Sequence, residues 1–340
     1  MSNNNNIRVL SEKDIDQILK QGDTEAANEI IDLMASTFAT FTQAHESNNT
    51  HIAQAPQRIS VDTDTHRVLF MPSHLQQTTS IKVVAVPTKD GKGGLPGSVM
   101  VLDEPTGRVQ AIMNATGLTA VRTAAATRYF ANPEAKRLVV LGAGAQGRSH
   151  IDIMIAARPS INHITIWNRG QERRNKLVEL MKTIYPTKTF IGVGEDGNDD
   201  FEKAVRQADI ICTCTNSSSP ILKGQWLSPG VHINCVGSYR LDMHEVDSDT
   251  VKKATNILVD SIEACSHEAG ELVQSSQQDQ WTEIGSIILN RKENQEQGQL
   301  YDPKGITLFK SVGISVQDSA IAGLMVENAK KNQLGSVVPF

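Results

Sequence analysis

The chain has 340 residues, 39% of them hydrophobic and 21% charged, with a formal net charge of -5, enough for one large or two medium domains with a sizeable core. Mild acidity without a basic block excludes an electrostatic nucleic-acid surface, and no apolar run is long enough to span a bilayer. The four cysteines, Cys212, Cys214, Cys235 and Cys265, are too few and too poorly spaced for a disulfide scaffold, so a reducing cytoplasm is expected.

The opening "MSNNNNIRVL" has neither a basic nor an apolar leader pattern and reads as a short disordered lead rather than a signal peptide. Ser11 followed by Asp14 resembles a helix start, and "TEAANEIIDLMASTFATFTQAHE" places Ile30, Ile31, Met34, Phe38 and Phe41 at helical spacing. The period then changes: "RISVDT", "HRVLFMPSH", "SIKVVAVP" and "GSVMVLDEPTGRVQAIMN" read as antiparallel strands, the last pair joined by a turn at Pro105-Thr106-Gly107. From Leu118 strands and helices alternate, which predicts a mostly parallel sheet covered on both faces. The last apolar-periodic segment, "SVQDSAIAGLMVENAKKN", reads as a long helix that returns to the first domain. Cys212 and Cys214 lie on the apolar strand "ADIICTCTN"; a metal would need a second ligand pair, so both read as buried thiols and no metal is expected.

"RLVVLGAGAQGRSH" places Gly-x-Gly-x-x-Gly between a β-branched strand and a helix. In that context Gly142 takes a tight turn, Gly144 lets backbone approach a pyrophosphate, and Gly147 allows close helix-strand packing. The following residues Ala145 and Gln146 open the helix, whose first N–H groups face the anion. About two dozen residues further on, the second strand ends in "IWNRG", offering Asn168 and Arg169 and no acid for a ribose 2′-hydroxyl. Arg169 therefore favours NADP(H) over NAD(H), with NAD(H) possible; Arg173 and Arg174 read as a solvated helix face.

The segments "GLTAVRTAAAT", "VVLGAGAQGRSH", "ITIWNRG", "SPILKGQWLSPGVHINCVGSYRLDMHEVD", "VDSIEACSHEAGEL" and "ITLFKSVGISVQD" together resemble the ornithine cyclodeaminase and mu-crystallin family, in order from about Arg58 to Asp318. The resemblance implies an α/β protein: a Rossmann-type doubly wound sheet over residues 119–318, plus an α+β substrate-binding and dimerisation domain from residues 1–118 and 319–340. It implies a homodimer, and a substrate carboxylate held by Arg58, Lys82 and Arg122. The residues themselves agree in part, because Lys82 sits in an otherwise apolar strand where an unpaired ammonium is costly. A partner, either a protein acid or a substrate carboxylate, is expected there; Arg122 can clamp a carboxylate with two parallel bonds. The resemblance further places Thr215, Ser217, Val236 and Gly237 against the nicotinamide, and makes Ser98 and Arg122 candidate cofactor contacts.

Cyclodeaminases of this family carry an aspartate where this chain has Tyr239; the acid comes later, as Asp242, in the manner of the ketimine-reductase members. The resemblance thus implies NAD(P)H-dependent reduction of a small cyclic imine carboxylate, Δ1-pyrroline-2-carboxylate or Δ1-piperideine-2-carboxylate. Lys82 or Asp242 handles the proton, and a helix cap is the other reading of Asp242. Two alternatives stand beside it: ornithine cyclodeamination with bound NAD, and an NADPH-dependent binding protein without catalysis.

Overall fold

The computed structural model describes residues 6–20, 22–88, 95–124, 130–195, 198–293 and 302–340. The chain begins β1 (Asn6–Leu10), α1 (Glu12–Leu19), α2 (Thr24–Glu46), β2 (Ala53–Gln54), β3 (Ile59–Asp62), β4 (His66–Leu75), β5 (Thr78–Pro87), β6 (Gly97–Leu102), β7 (Val109–Asn114) and α3 (Thr116–Ala124). It continues β8 (Arg137–Leu141), α4 (Ala145–Ala157), β9 (His163–Trp167), α5 (Gln171–Ile184), β10 (Thr189–Val193), α6 (Asn198–Arg206), β11 (Ile210–Thr213), β12 (His232–Cys235) and α7 (Ser248–Lys253). It ends β13 (Asn256–Val259), α8 (Ile262–Glu268), α9 (Gly270–Ser275), β14 (Trp281–Glu283), α10 (Ile284–Glu293), β15 (Thr307–Lys310), α11 (Val316–Lys331) and β16 (Ser336–Pro339). Two compact units result: residues 1–21, 32–122 and 314–340, and residues 22–31 and 123–313. Their limits at 122/123 and 313/314 lie a few residues from the expected 118/119 and 318/319, so that Arg122, Gln317 and Asp318 all group with the first unit.

The first unit is built on a sheet in the order β16-β1-β7-β6-β5-β4-β2, with β3 also on β4. β4 and β5 alternate, so Leu69, Met71, Ser73 and Leu75 share a buried face with Ser80, Lys82 and Val84. Helix α11 packs on that face across β4, β5 and β6. Helix α1 starts as its sequence suggests: Ser11 caps it, and the Asp14 carboxylate accepts from the Ser11 N–H in return. The N-terminal expectation is corrected. Asn6–Leu10 is not a disordered lead but a strand, parallel to β7 on one side and antiparallel to β16 on the other, with Ile7 and Leu10 buried. Its partners are more than a hundred residues away or at the far end of the chain, which no local pattern reveals. The helix expected over residues 118–131 is seen as Thr116–Ala124, and residues 125–129 lie outside the described residues.

The second unit holds a wholly parallel sheet in the order β10-β9-β8-β11-β12-β15-β13-β14. Its first five strands follow the 3-2-1-4-5 order of a dinucleotide-binding sheet, which reverses direction between β8 and β11. The central strands are covered on both faces: β11, β12 and β15 are buried throughout, including the polar His232, Asn234, Thr307 and Lys310. Beneath one face, Trp167 packs at a tilt on Phe201 and Trp226 meets Phe201 edge-on, in one cluster with Leu222, Val231 and Ile233. The chain is therefore an α/β protein with a Rossmann-type sheet and a second, mostly antiparallel unit. Strand β14 and helix α10 were not legible in the sequence.

Candidate active site

In the first unit, a serine ladder docks the start of α11. Ser73 Oγ donates to Ser315 O at 2.7 Å, Ser319 Oγ lies 2.7 Å from Ser73 Oγ and 2.8 Å from Ser80 Oγ, and Ser315 Oγ donates to Pro72 O at 2.9 Å. This seats the first turn of α11 over β4 and β5 and brings Asp318 to Lys82. Lys82 Nζ stands 2.8 Å from Asp318 Oδ2 and Arg122 Nε 3.3 Å from Oδ1, with all three side chains almost fully buried. Both are buried ion pairs, the shorter one, from Lys82, at hydrogen-bond distance. Arg122 is held from its other end: its terminal nitrogen donates to Gln317 Oε1 at 2.7 Å, and Gln317 Nε2 donates back to Arg122 O at 3.2 Å.

Burial pushes the Lys82 ammonium down from an ordinary 10.5 to about 8; the Asp318 carboxylate opposes that, while Arg122 and Arg58 add to it. Arg58, half-buried just before β3, is thus within electrostatic reach of Lys82. Two of the three cations named from the sequence, Lys82 and Arg122, meet at one carboxylate. Asp318 and Gln317 were missed, although the unpaired lysine in an apolar strand called for an acid. Their signal is the polar pair in "SVQD", buried in a helix whose first two turns are inside the protein on every side. Ser98 falls on the opposite sheet face from Lys82, exposed and paired across with Val83 and Asn114.

In the second unit, the glycine turn follows β8. Gly142 has φ +111°, and a Cβ there would meet Cys214 O at 2.7 Å. A Cβ on Gly147 would stand 1.9 Å from Gly142 O, so the helix and strand approach closer than any side chain permits. Gly144 differs: it is exposed, with nothing within 4 Å of where its Cβ would lie, and it caps α4 without a side-chain bond. The exposed Ala145 and half-buried Gln146 follow it in the first turn. Crowded glycines on either side of an open one, at an uncapped helix start, fit a pyrophosphate. Asn168 Oδ1 accepts from the Ala143 N–H at 3.1 Å and its Nδ2 donates to Gly170 O at 2.9 Å, fixing the turn to the end of β9. Arg169, next in line, is exposed. Arg174 is a correction: it is buried rather than solvated, lies against Gly192 and donates to Asn168 O at 3.0 Å. Helix α5 must pack on β10, and the arginine's aliphatic stem fills that contact.

The loops after β11 and β12 are tied by a carboxylate that sequence reading passed over. Glu245, fully buried, accepts from the Thr213 hydroxyl (2.8 Å), the Thr215 N–H (2.5 Å) and hydroxyl (2.8 Å), and the Gly237 N–H (2.6 Å). Burial raises its pKa, and Lys310 and these donors oppose the rise. Val236 extends the ladder to Thr213 O, and Ser217 O accepts from the His244 N–H. A Cβ on Gly237 would meet Thr215 O at 1.9 Å, so the two loops touch backbone to backbone. Asp242 belongs to this unit, is largely exposed and is paired by Arg240 through two bonds of 3.0 and 2.8 Å. It caps no helix; Asp247 caps the next one, α7. Tyr239, close by on the same loop, is half-buried.

The profile of the ornithine cyclodeaminase/mu-crystallin family matches residues 14–333. The chain belongs to this family. Among curated relatives, a Delta(1)-pyrroline-2-carboxylate reductase of Bacillus cereus is 31% identical over 292 residues, covering 82% of this chain and 86% of the relative. The ketimine reductase mu-crystallin of Rattus norvegicus is 31% identical over 284 residues, covering 80% and 84%. Among solved structures, the Thermococcus litoralis Delta(1)-pyrroline-2-carboxylate reductase in complex with NADH and L-proline aligns with a TM-score of 0.83 at 27% identity, over 98% of this chain and 100% of that one. An archaeal alanine dehydrogenase dimer with bound NAD shares the fold, with a TM-score of 0.80 at 22% identity.

Proposed function

We propose that this family member is an NAD(P)H-dependent oxidoreductase of a C=N bond, reducing a cyclic imine carboxylate of the Δ1-pyrroline-2-carboxylate or Δ1-piperideine-2-carboxylate kind to the cyclic amino acid. The observation that carries the reading is the charge of the first-unit cluster. Lys82 and Arg122, both buried, share a single carboxylate, Asp318. Burying cations in excess of anions is costly, and a substrate carboxylate offsets that cost. The names of the relatives in Bacillus cereus and rat, and the proline complex of the Thermococcus litoralis structure, agree with it.

The second unit has the parts to hold the cofactor: Gly142, Gly144, Ala145, Gln146 and Gly147 for the pyrophosphate, Asn168 and Arg169 at the adenosine ribose, and Thr215, Ser217, Val236 and Gly237 at the nicotinamide. When bound, the reduced nicotinamide supplies hydride to the imine carbon. The chain's own work is to orient the carboxylate with Arg58 and Arg122 and to provide a proton for the nitrogen. An ammonium near pH 8 is well matched to that transfer at neutral pH, so Lys82 takes the role in preference to Asp242, which Arg240 already engages. As the C=N bond gains hydride at carbon, a Lys82 N–H bond breaks, the proton passes to the imine nitrogen, and solvent restores the ammonium. Arg169, with no acid beside it at the end of β9, favours NADPH over NADH.

We further infer a homodimer. On the sheet face away from α11, Pro72, Ile81, Met100 and Ile112 form a row across β4 to β7, with Phe70 and Val83 beside it, all half-buried in the single chain. A second copy covering this apolar face completes its burial. Among the described residues no helix is long and apolar enough to cross a membrane, and the four free cysteines support a cytoplasmic setting.

The test is loss of the reduced-nicotinamide absorbance with purified protein, each imine and NADPH or NADH. Oxidation dependent on imine, faster with NADPH, is expected. Ammonia release from ornithine without net consumption of added NADPH contradicts the reading and favours the cyclodeaminase alternative.

A further inference from the structure

Lys82 is buried beneath α11 with two guanidinium groups in its vicinity, surroundings that favour a neutral amine. The groups facing it are few. From α11 comes Asp318, from α3 Arg122, and from the segment before β3 Arg58. The neighbouring strands add no titratable side chain to that face: β4 presents Leu69, Met71, Ser73 and Leu75, and β6 presents Val99 and Val101. Asp318 is thus the carboxylate, among the groups facing it, that supports a charge on Lys82.

The placement of Asp318 is built, not incidental. It stands in the first turn of α11, where a carboxylate is favoured by the helix dipole, and Ser315 and Ser319 on either side are the residues bonded to β4 and β5. Gln317, the residue before it, holds Arg122 by both ends of its amide. One turn of helix therefore fixes the distance from Asp318 to Lys82 and, separately, ties down the arginine that competes for the same carboxylate.

We propose that Asp318 is a positioning residue: its carboxylate keeps Lys82 an ammonium at neutral pH and holds it in place, and Gln317 restrains Arg122 so that Asp318 stays engaged with the lysine. Asp318 takes no proton in the reaction and touches no substrate; it sets the charge state from which Lys82 gives its proton. This inference rests on the reductase reading for its kinetic consequence, but not for the charge state itself.

The experiment follows the Lys82 side chain directly, by carbon NMR of the full-length protein labelled at lysine Cε, with the signal assigned by its loss in Lys82→Arg. In the wild type the ammonium form is expected at pH 7, titrating below the ordinary lysine range. In Asp318→Asn the midpoint is expected to fall by about one unit or more. The alkaline limb of kcat for imine reduction should fall with it, and Asp318→Glu should restore much of both. A neutral Lys82 at pH 7 in the wild type overturns the proposal, as does an unchanged midpoint in Asp318→Asn. If Asp318→Asn does not fold, Asp318→Ser is used, with the same two outcomes, and the wild-type titration stands regardless. Should the wild type reduce no imine while Lys82 titrates as described, the functional reading fails and the charge assignment survives.

Discussion

Glu245 and Asp318, one buried carboxylate from each unit, are treated in opposite ways. Glu245 in the second unit accepts four hydrogen bonds from two loops and has little left to offer a ligand. Asp318 in the first unit is shared by two buried cations, Lys82 and Arg122. A saturated buried charge is architecture, whereas an unsaturated cluster of one predominant sign is a site waiting for its counter-ion. On this contrast we propose that Glu245 shapes the surface that a nicotinamide meets, and that Lys82 and Arg122, with Arg58 near them, receive the substrate.

The largest effect that sharpens the contrast is on chemistry. Lys82→Met is expected to lower kcat for imine reduction by about 10²–10⁴-fold, read by steady-state kinetics with saturating NADPH; a residual rate near that of the wild type would move the proton role elsewhere. Next comes a stability effect in the other unit. Glu245→Gln leaves donors that a neutral amide cannot all satisfy, at about 1–3 kcal/mol for each one left buried without an acceptor. A denaturant midpoint well below the wild type, with weakened dinucleotide affinity, is expected; unchanged values would mean that the loops hold themselves.

Acid separates the units further. Burial pushes His150 and His232 of the second unit down from an ordinary 6.5 to about 4. Between those values the unfolded chain binds the extra protons, so stability is full above pH 6.5 and drains away as pH falls toward 4. Melting curves across that window should drop steeply, and His232→Asn should flatten the drop; a slope that ignores the substitution breaks the assignment. The smallest effect concerns the cofactor. Arg169→Ser should reduce the preference for NADPH over NADH by about tenfold, or 1.4 kcal/mol, in kcat/KM measured with each cofactor.

The parts of this fold that the sequence made legible are those with a short-range signature. The glycine turn, the alternating strands β4 to β7 and the Ser11 capping box each follow from neighbours a few residues apart. The three cations were named from the resemblance; Lys82 and Arg122 also carried a physical warrant of their own, and Arg58 did not. What stayed hidden depends on long-range pairing. Strand β1 needs β7 and β16, Asp318 needs a lysine on β5, and Glu245 reads as one acid among several in "MHEVD" until the ends of β11 and β12 are brought to it. Arg174 was misread for the same reason, since its burial depends on Gly192 of another strand.

The most direct measurement of the central claim is calorimetric titration of L-proline, a cyclic amino-acid carboxylate, into the wild type and Arg122→Gln in the presence of NADPH. Binding to the wild type that weakens as salt is raised, and that is lost in Arg122→Gln while NADPH affinity is retained, is the result predicted. Equal binding to both proteins would contradict the assignment of the first-unit cations to the substrate carboxylate.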